Sequence, residues 1–397
     1  MKIAVIGARS IPAKFGGIER YCQELYPQIA ARGHEVDLYV QPSYHQKSWF
    51  SALFSTFFYQ KMKVITLLSL PGKRLSLLNS AFSAIWATFG SYDVIHLHGV
   101  IAAWFAWFPQ IFSNSSVVVT FHQLESPQTL SSRTFPWLLP WLEKMAVKYA
   151  DEIVVTNHEL ADYFLRKYGT YSHYIPNAPA KFMTEEDSSY SFRRSCRQAF
   201  GLEQQSYLLY LGPFEPNQRL DLLIKVFQHL QPPNWKLVLA GDISHALPYS
   251  MHLLQMARKQ ENIVFTGEIN GNLLAELVRD AGVFVEPSEG NNLSSSVAML
   301  EAMREGVPIL ASDTITHRQL LGRDRGLLFR AGQFDSLLVQ LEYVMSRPNL
   351  LSAMTKKAQT YIAVHHNWDK VIYKNLFLYL QLTAKIHFPQ SHHTLDL

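Results

Sequence analysis

From one end of the chain to the other, short apolar runs rich in Val, Ile and Leu alternate with segments whose apolar positions recur every three or four residues. A run that is apolar throughout suits a strand covered on both faces, whereas the longer period suits a helix with one buried stripe. The pattern predicts strands from Lys2 to Ile6, Glu35 to Val40, Val94 to Leu97, Val117 to Phe121 and Glu152 to Thr156. A second series runs from Tyr207 to Leu211, Lys236 to Ala240, Asn262 to Thr266, Val283 to Glu286 and Pro308 to Ala311. Strands alternating with helices predict parallel α/β layers, and two successive doubly wound sheets fit the series better than one. The last part of the chain predicts helices only, about Phe334 to Met345, Asn349 to His365 and Trp368 to Ile386, then a frayed tail carrying His392 and His393.

Between the two series, Pro176 to Arg194 is polar and rich in turn-forming residues, which marks a linker. The expected boundaries are a first domain over 1–178, a linker over 179–194, a second domain over 195–365, a helix over 366–388 and a tail over 389–397.

Composition narrows the class. The 397 residues are 48% hydrophobic and 17% charged, which excludes a disordered or collagen-like chain. Cys22 and Cys196 are too far apart for a CxxC motif and too few to staple a secreted scaffold, so a reducing cytoplasm is expected. The opening MKIAVIGARS turns after seven residues and reads as a strand rather than a signal peptide.

The net charge is +4, but its distribution matters more. From Leu38 to Tyr92 there is no Asp or Glu, while Lys47, Lys61, Lys63, Lys73 and Arg74 are present; Val94 to Leu124 carries no charged residue at all. The apolar stretches within are interrupted by Ser, Asn, Gly, Pro and Gln, so no transmembrane span is expected. SWFSALFSTFFYQKMK, with six aromatics between Trp49 and Tyr59, suits a membrane interface with its lysines on anionic headgroups. It also suits a buried helix with a solvated basic end. Five dispersed cations fall short of a nucleic-acid stripe.

Two loops carry candidate chemistry. Gly16-Gly17 precedes a helical stripe of Ile18, Tyr21, Cys22, Leu25 and Ile29, so the backbone can approach a phosphate at the positive end of a helix; a plain βα turn reads the same way. The loop is not GxGxxG, so no dinucleotide is implied. Near the other end, Ser294, Ser295 and Ser296 stand before a helix carrying Glu301 and can cap it or bind phosphate oxygens. Glu301 can accept from two sugar hydroxyls or simply be a solvated helix residue.

These segments resemble a known family. LEAMREGVPILASD is similar to a signature of retaining, nucleotide-sugar-dependent glycosyltransferases of family 4, and VIGARSIPAKFGGIERYCQEL resembles their bacterial rhamnosyltransferase-related subgroup. DVIHLHG, VVVTFHQLE, EKMAVKYADEIVVTN, YIPNAP and LGPFEPNQRLDLLIKVF follow in the family's order. The resemblance implies the GT-B architecture: an α/β chain of two Rossmann-like domains facing a cleft, the first on the acceptor side and the second binding the nucleotide sugar. The C-terminal helix would cross back to the first domain. It implies transfer of a hexose or deoxyhexose to a glycan or lipid-linked acceptor in surface polysaccharide assembly, in the cytoplasm or at the inner face of the membrane, with no cofactor and no metal. His122 and Glu289 would be catalytic. Gly16, Gly17, Arg219, Gly290, Leu293, Ser294, Ser295 and Glu301 would bind the donor, Glu301 through its ribose.

The departures are specific. The family's two glutamates lie eight positions apart, but Leu293 stands eight before Glu301, leaving Glu289 to serve only if the longer loop folds back. Where the family places Arg and Lys, this chain has Pro213 and Gln218, so Arg219 or Lys14 would have to neutralise the leaving diphosphate. These replacements motivate an alternative: a catalytically weakened GT-B protein that binds a sugar nucleotide or a partner enzyme. A sugar-nucleotide epimerase is a third reading, disfavoured by the LEAM and GGIE segments.

Overall fold

The computed structural model describes residues 1–13, 17–41, 54–67, 76–123, 139–179, 199–243, 247–269, 271–289, 297–347 and 351–387. The chain forms two compact units, Met1–Asn177 with Trp368–Leu397, and Ala178–Asn367.

The first unit begins β1 (Lys2–Ile6), α1 (Gly17–Ala31), β2 (Glu35–Val40), β3 (Phe54–Tyr59), β4 (Met62–Leu67) and α2 (Ser76–Thr88). It continues with β5 (Val94–His98), α3 (Gly99–Ala103), α4 (Trp107–Phe112), β6 (Ser116–Phe121), α5 (Leu139–Tyr149), β7 (Glu152–Val155), α6 (His158–Tyr168) and β8 (His173–Tyr174). The sheet order is β3-β4-β2-β1-β5-β6-β7-β8, parallel except for β3. β1 pairs with β2 on one side and β5 on the other, so the chain reverses its direction of winding there; carboxyl ends at such a switch point form the natural crevice of an open α/β sheet.

The aromatic stretch does not form the buried helix that was one of its two expectations. Its described part, from Phe54 onward, is an antiparallel hairpin at the sheet edge, turned by Gln60 and Lys61, both at positive φ. Met62, Val64 and Leu67 bury their side chains, while Phe58 is 77% exposed. A short aromatic run satisfies either period; pairing of β4 with β2 decides for strand.

The second unit comprises β9 (Tyr207–Leu211), α7 (Leu220–Leu230), β10 (Lys236–Ala240), α8 (Leu247–Ala257), β11 (Ile263–Gly267), α9 (Gly271–Arg279) and β12 (Val283–Glu286). After these come α10 (Val297–Arg304), β13 (Ile309–Ser312), α11 (Ile315–Leu321), β14 (Leu327–Phe329), α12 (Phe334–Ser346) and α13 (Ser352–His365). Its sheet is wholly parallel in the order β11-β10-β9-β12-β13-β14, with the switch point between β9 and β12. Leu208 and Tyr210 enter one core and Tyr207 and Leu209 another, because successive strand residues face opposite sides.

The last helix, α14 (Trp368–His387), belongs to the first unit. Asn375 donates from Nδ2 to the Tyr21 hydroxyl at 3.2 Å, and the Trp368 and Tyr21 rings lie 5.7 Å apart. Among the described residues no helix is long and apolar enough to cross a membrane.

Candidate active site

In the first unit the chain leaves β1 through Gly7 at φ +125, where a Cβ would collide with the His98 carbonyl. Glycine is required by both conformation and space. The loop that follows is tied to α1: the Arg9 amide donates to Glu19 Oε1 at 3.1 Å and the Ala13 amide to Gln23 Oε1 at 2.6 Å. Glu19 is buried, and that burial raises its pKa. Gly17 opens α1 with nothing within 4 Å of the place a Cβ would take, so a ligand can approach there. Gly16 and Lys14 lie outside the described residues.

His122 follows β6 directly and is buried beside two further histidines. His96 and His98 lie two apart on β5 and thus share a face. His98 Nδ1 is 3.0 Å from His122 Nε2, and His98 Nε2 is 2.6 Å from the Tyr26 hydroxyl on α1. His96 Nδ1 lies 2.9 Å from that hydroxyl and 2.5 Å from the Tyr379 hydroxyl on α14, while its Nε2 is 2.6 Å from Thr120 Oγ1. The Tyr21 ring meets His122 edge-on at 4.9 Å, and the Asn177 side chain hydrogen-bonds to it. Thr156 Oγ1 donates to the His122 carbonyl at 3.0 Å. Burial lowers the pKa of His122 to about 4 and that of His96 to about 3, and pushes His98 well down, so all three are neutral near pH 7.

The second unit assembles charge at its own switch point. After β9, Tyr210 donates to the Pro213 carbonyl at 2.8 Å, and Pro216–Gln218 form a single 3₁₀ turn. Arg219 then takes a left-handed conformation at the start of α7. Its guanidinium pairs with Glu289, which follows β12, and reaches Asp221 at 3.5 Å. The Glu289 amide donates to the Asn217 carbonyl at 2.8 Å, locking one loop to the other. At Gly332, φ +70, a Cβ would collide with the Glu289 carboxylate. Tyr249 donates to Asp221 Oδ1 at 3.1 Å. Behind the loop, Ser312 Oγ donates to the Ser288 carbonyl at 2.5 Å, and the His317 imidazole bonds to the Ser312 carbonyl at 2.8 Å.

Glu301 on α10 has no exposed surface, which overturns the reading of a solvated helix residue. Gly290, Leu293, Ser294 and Ser295 lie outside the described residues. Thus Arg219 and Glu289 come together, but with the cation already engaged by two carboxylates. Tyr26, His96, His98, Tyr379 and Gly332 were not singled out from sequence. The two-residue spacing in IHLHG was a readable signal for the histidines; Tyr379 and Gly332 had none. Among the described residues no group of three or more His, Cys, Asp and Glu side chains converges as a metal site.

Residues 15–178 match the model of Glycosyltransferase Family 4, and residues 192–361 match that of Glycosyl transferases group 1. The chain is 25% identical to a phosphatidyl-myo-inositol mannosyltransferase of Mycobacterium tuberculosis over 59% of its own length and 58% of that relative's. It is 28% identical to O-antigen chain mannosyltransferase B of Escherichia coli over 47% and 44% of the two chains. The fold is shared with sucrose-phosphate synthase from Thermosynechococcus elongatus (TM-score 0.78, 22% identity, 96% and 99% coverage). It is also shared with Anabaena HepE in complex with UDP-glucose (TM-score 0.73, 17% identity, 96% and 100% coverage).

Proposed function

From a chain that belongs to the GT-B glycosyltransferases, joining a family 4 segment to a group 1 segment, we infer a retaining enzyme that moves a hexose or deoxyhexose from a nucleotide diphosphate carrier. The acceptor is a glycan or lipid-linked sugar in surface polysaccharide assembly at the inner face of the membrane. One observation carries this reading: residues 192–361, which contain the LEAMREGVPILASD segment with Glu301, match the model of Glycosyl transferases group 1, with Glu301 assigned to the nucleotide ribose by motif. UDP-glucose in HepE and the mannosyltransferase relatives support the donor class. The resemblance to the rhamnosyltransferase-related subgroup supports a deoxyhexose.

In the transfer, the C1–O bond to the diphosphate breaks as the acceptor oxygen bonds to C1 on the same face, and the acceptor proton passes to a leaving phosphate oxygen. The reading assigns no metal or cofactor. Gly16, Gly17, Gly290, Leu293, Ser294 and Ser295 stay assigned to the donor, and His122 to the reacting sugar, by motif; the open space at Gly17 supports the first of these.

A membrane-bound acceptor suits the surface of the first unit. Residues 47–74 contribute the exposed Phe57 and Phe58, but the larger apolar face is on α2, α4 and α5, with Trp86 at 53% and Phe89 at 71% exposure beside Ile111, Phe112 and Trp141. Neither α2 nor the segment Gly99–Phe112 carries a charge. Sedimentation with anionic vesicles that is lost in Trp86→Ser/Phe89→Ser is the expected result.

The engagement of Arg219 by Glu289 and Asp221 favours one second reading, a sugar-nucleotide binder with weakened turnover. A panel of UDP, GDP and dTDP sugars with candidate acceptors separates them. Transfer with retained anomeric configuration supports the enzyme; saturable binding without turnover supports the binder.

A further inference from the structure

Arg9 has an anchored backbone and an almost unspent side chain. It lies on the loop that leaves β1 at the switch point of the first sheet. The Arg9 amide donates to Glu19 Oε1 on α1 at 3.1 Å, and its carbonyl accepts from the Gln41 amide, just beyond β2, at 3.0 Å. These two bonds fix its Cα at the carboxyl ends of β1 and β2. The guanidinium is held by much less: the side chain is 67% exposed, and Nε lies 3.9 Å from Glu19 Oε1. Among the described residues the guanidinium makes no hydrogen bond.

The ordinary use of such an arginine is to neutralise a buried carboxylate. In that role the nitrogen sits about 2.7–2.9 Å from the oxygen. At 3.9 Å, Arg9 gives Glu19 a backbone N–H and little more. Arg219, by comparison, is engaged by Glu289 and Asp221. Two residues before Glu19, Gly17 has nothing within 4 Å of a Cβ position, so a ligand can approach the same end of α1. A guanidinium on a fixed backbone presents a fork of N–H donors that matches a phosphate, with little left to order on binding.

We propose that Arg9 binds a phosphate group of one substrate at the carboxyl ends of β1 and β2. A diphosphate can come from two sources, the nucleotide sugar or an acceptor carried on a lipid diphosphate. The role in transfer rests on the glycosyltransferase reading; the anion site does not.

Isothermal titration of the full chain with UDP, GDP, dTDP and farnesyl diphosphate reads the site without turnover. Arg9→Gln is expected to weaken at least one of these probes about tenfold, and Arg9→Lys to recover part of the loss. Arg32→Gln, at the far end of α1, should change none. A loss confined to the nucleotides assigns the donor, and one confined to farnesyl diphosphate assigns the lipid carrier; either supports the proposal. Gln at position 19 keeps an oxygen for the Arg9 amide while removing the buried charge. If Arg9→Gln/Glu19→Gln binds as well as Glu19→Gln alone, Arg9 merely offsets Glu19 and the proposal falls. It falls too if a folded Arg9→Gln keeps every affinity, or if the unaltered chain binds none of the probes. Weakened binding in a chain that transfers no sugar removes the enzymatic reading and leaves the site; intact transfer with unchanged affinities does the reverse.

Discussion

The two units share a parallel sheet with a switch point, yet they equip it with opposite electrostatics. The first buries three neutral histidines and two tyrosines at the ends of β5 and β6; the second holds Arg219, Glu289 and Asp221 in charged contact at a partly wet loop. Burial without a countercharge drives a histidine neutral, and the polar atoms must then satisfy one another, which makes the first cluster rigid and directional. Arg219 and Glu289 have side chains 29% and 34% exposed, so water screens their attraction. The first site is built for orientation. The second keeps its charges paired and partly exposed to water.

Acid should separate the two most strongly. His96 and His122 have folded pKa values near 3 and 4, below the usual 6.5, and His98 lies on the same side. Below pH 6.5 the unfolded chain takes up protons that the folded chain refuses, so stability falls as pH drops toward 4, by about 3 kcal/mol for His122 alone. The second unit has one described histidine of this kind, His317, lowered to about 4. Hydrogen exchange at pH 7 and 5 should show protection lost first in β1, β5 and β6; equal losses in β9 and β12 would remove the distinction.

Next in size is the contrast in catalysis. His122→Ala should lower kcat on the order of 10²-fold, the usual loss for one preorganised polar group. Arg219→Ala should cost about tenfold, because Glu289 and Asp221 already share its charge. Single-turnover rates measure both, and an Arg219→Ala as slow as His122→Ala would assign the leaving group to that cation after all.

Backbone crowding gives a smaller effect. Gly7→Ala meets the His98 carbonyl and should lose about 3 kcal/mol in denaturant unfolding, since backbone cannot yield. Gly332→Ala meets the end of a Glu289 side chain that can swing away, and should lose about 1 kcal/mol while weakening donor binding. The smallest effect is the Arg219–Glu289 coupling in a double-mutant cycle of stability, expected below about 1 kcal/mol.

The strand series was legible because strands of a parallel sheet are covered on both faces and therefore read as continuous apolar runs, as in VIHL and LVLA. β3, β4, β8 and β14 were not: FSTFFY fits either period until β3 pairs with β4 and β4 with β2, and β8 and β14, of two and three residues, are too short to show a period. At the site, His122 and Arg219 stood out from their motifs, but what surrounds them did not. Tyr379 is 283 residues from His96, and no local pattern encodes that meeting.

The sequence by itself determined the α/β class, the two series of strands and the residue types available at each loop, since these follow from local periodicity and chemistry. Tertiary structure decided their states. Burial makes the histidines neutral, the seating of α14 brings Tyr379 to His96, and the pairing of loops places Glu289 on Arg219. Protonation and pairing depend on which distant groups exclude water, and only the packed fold brings those groups together.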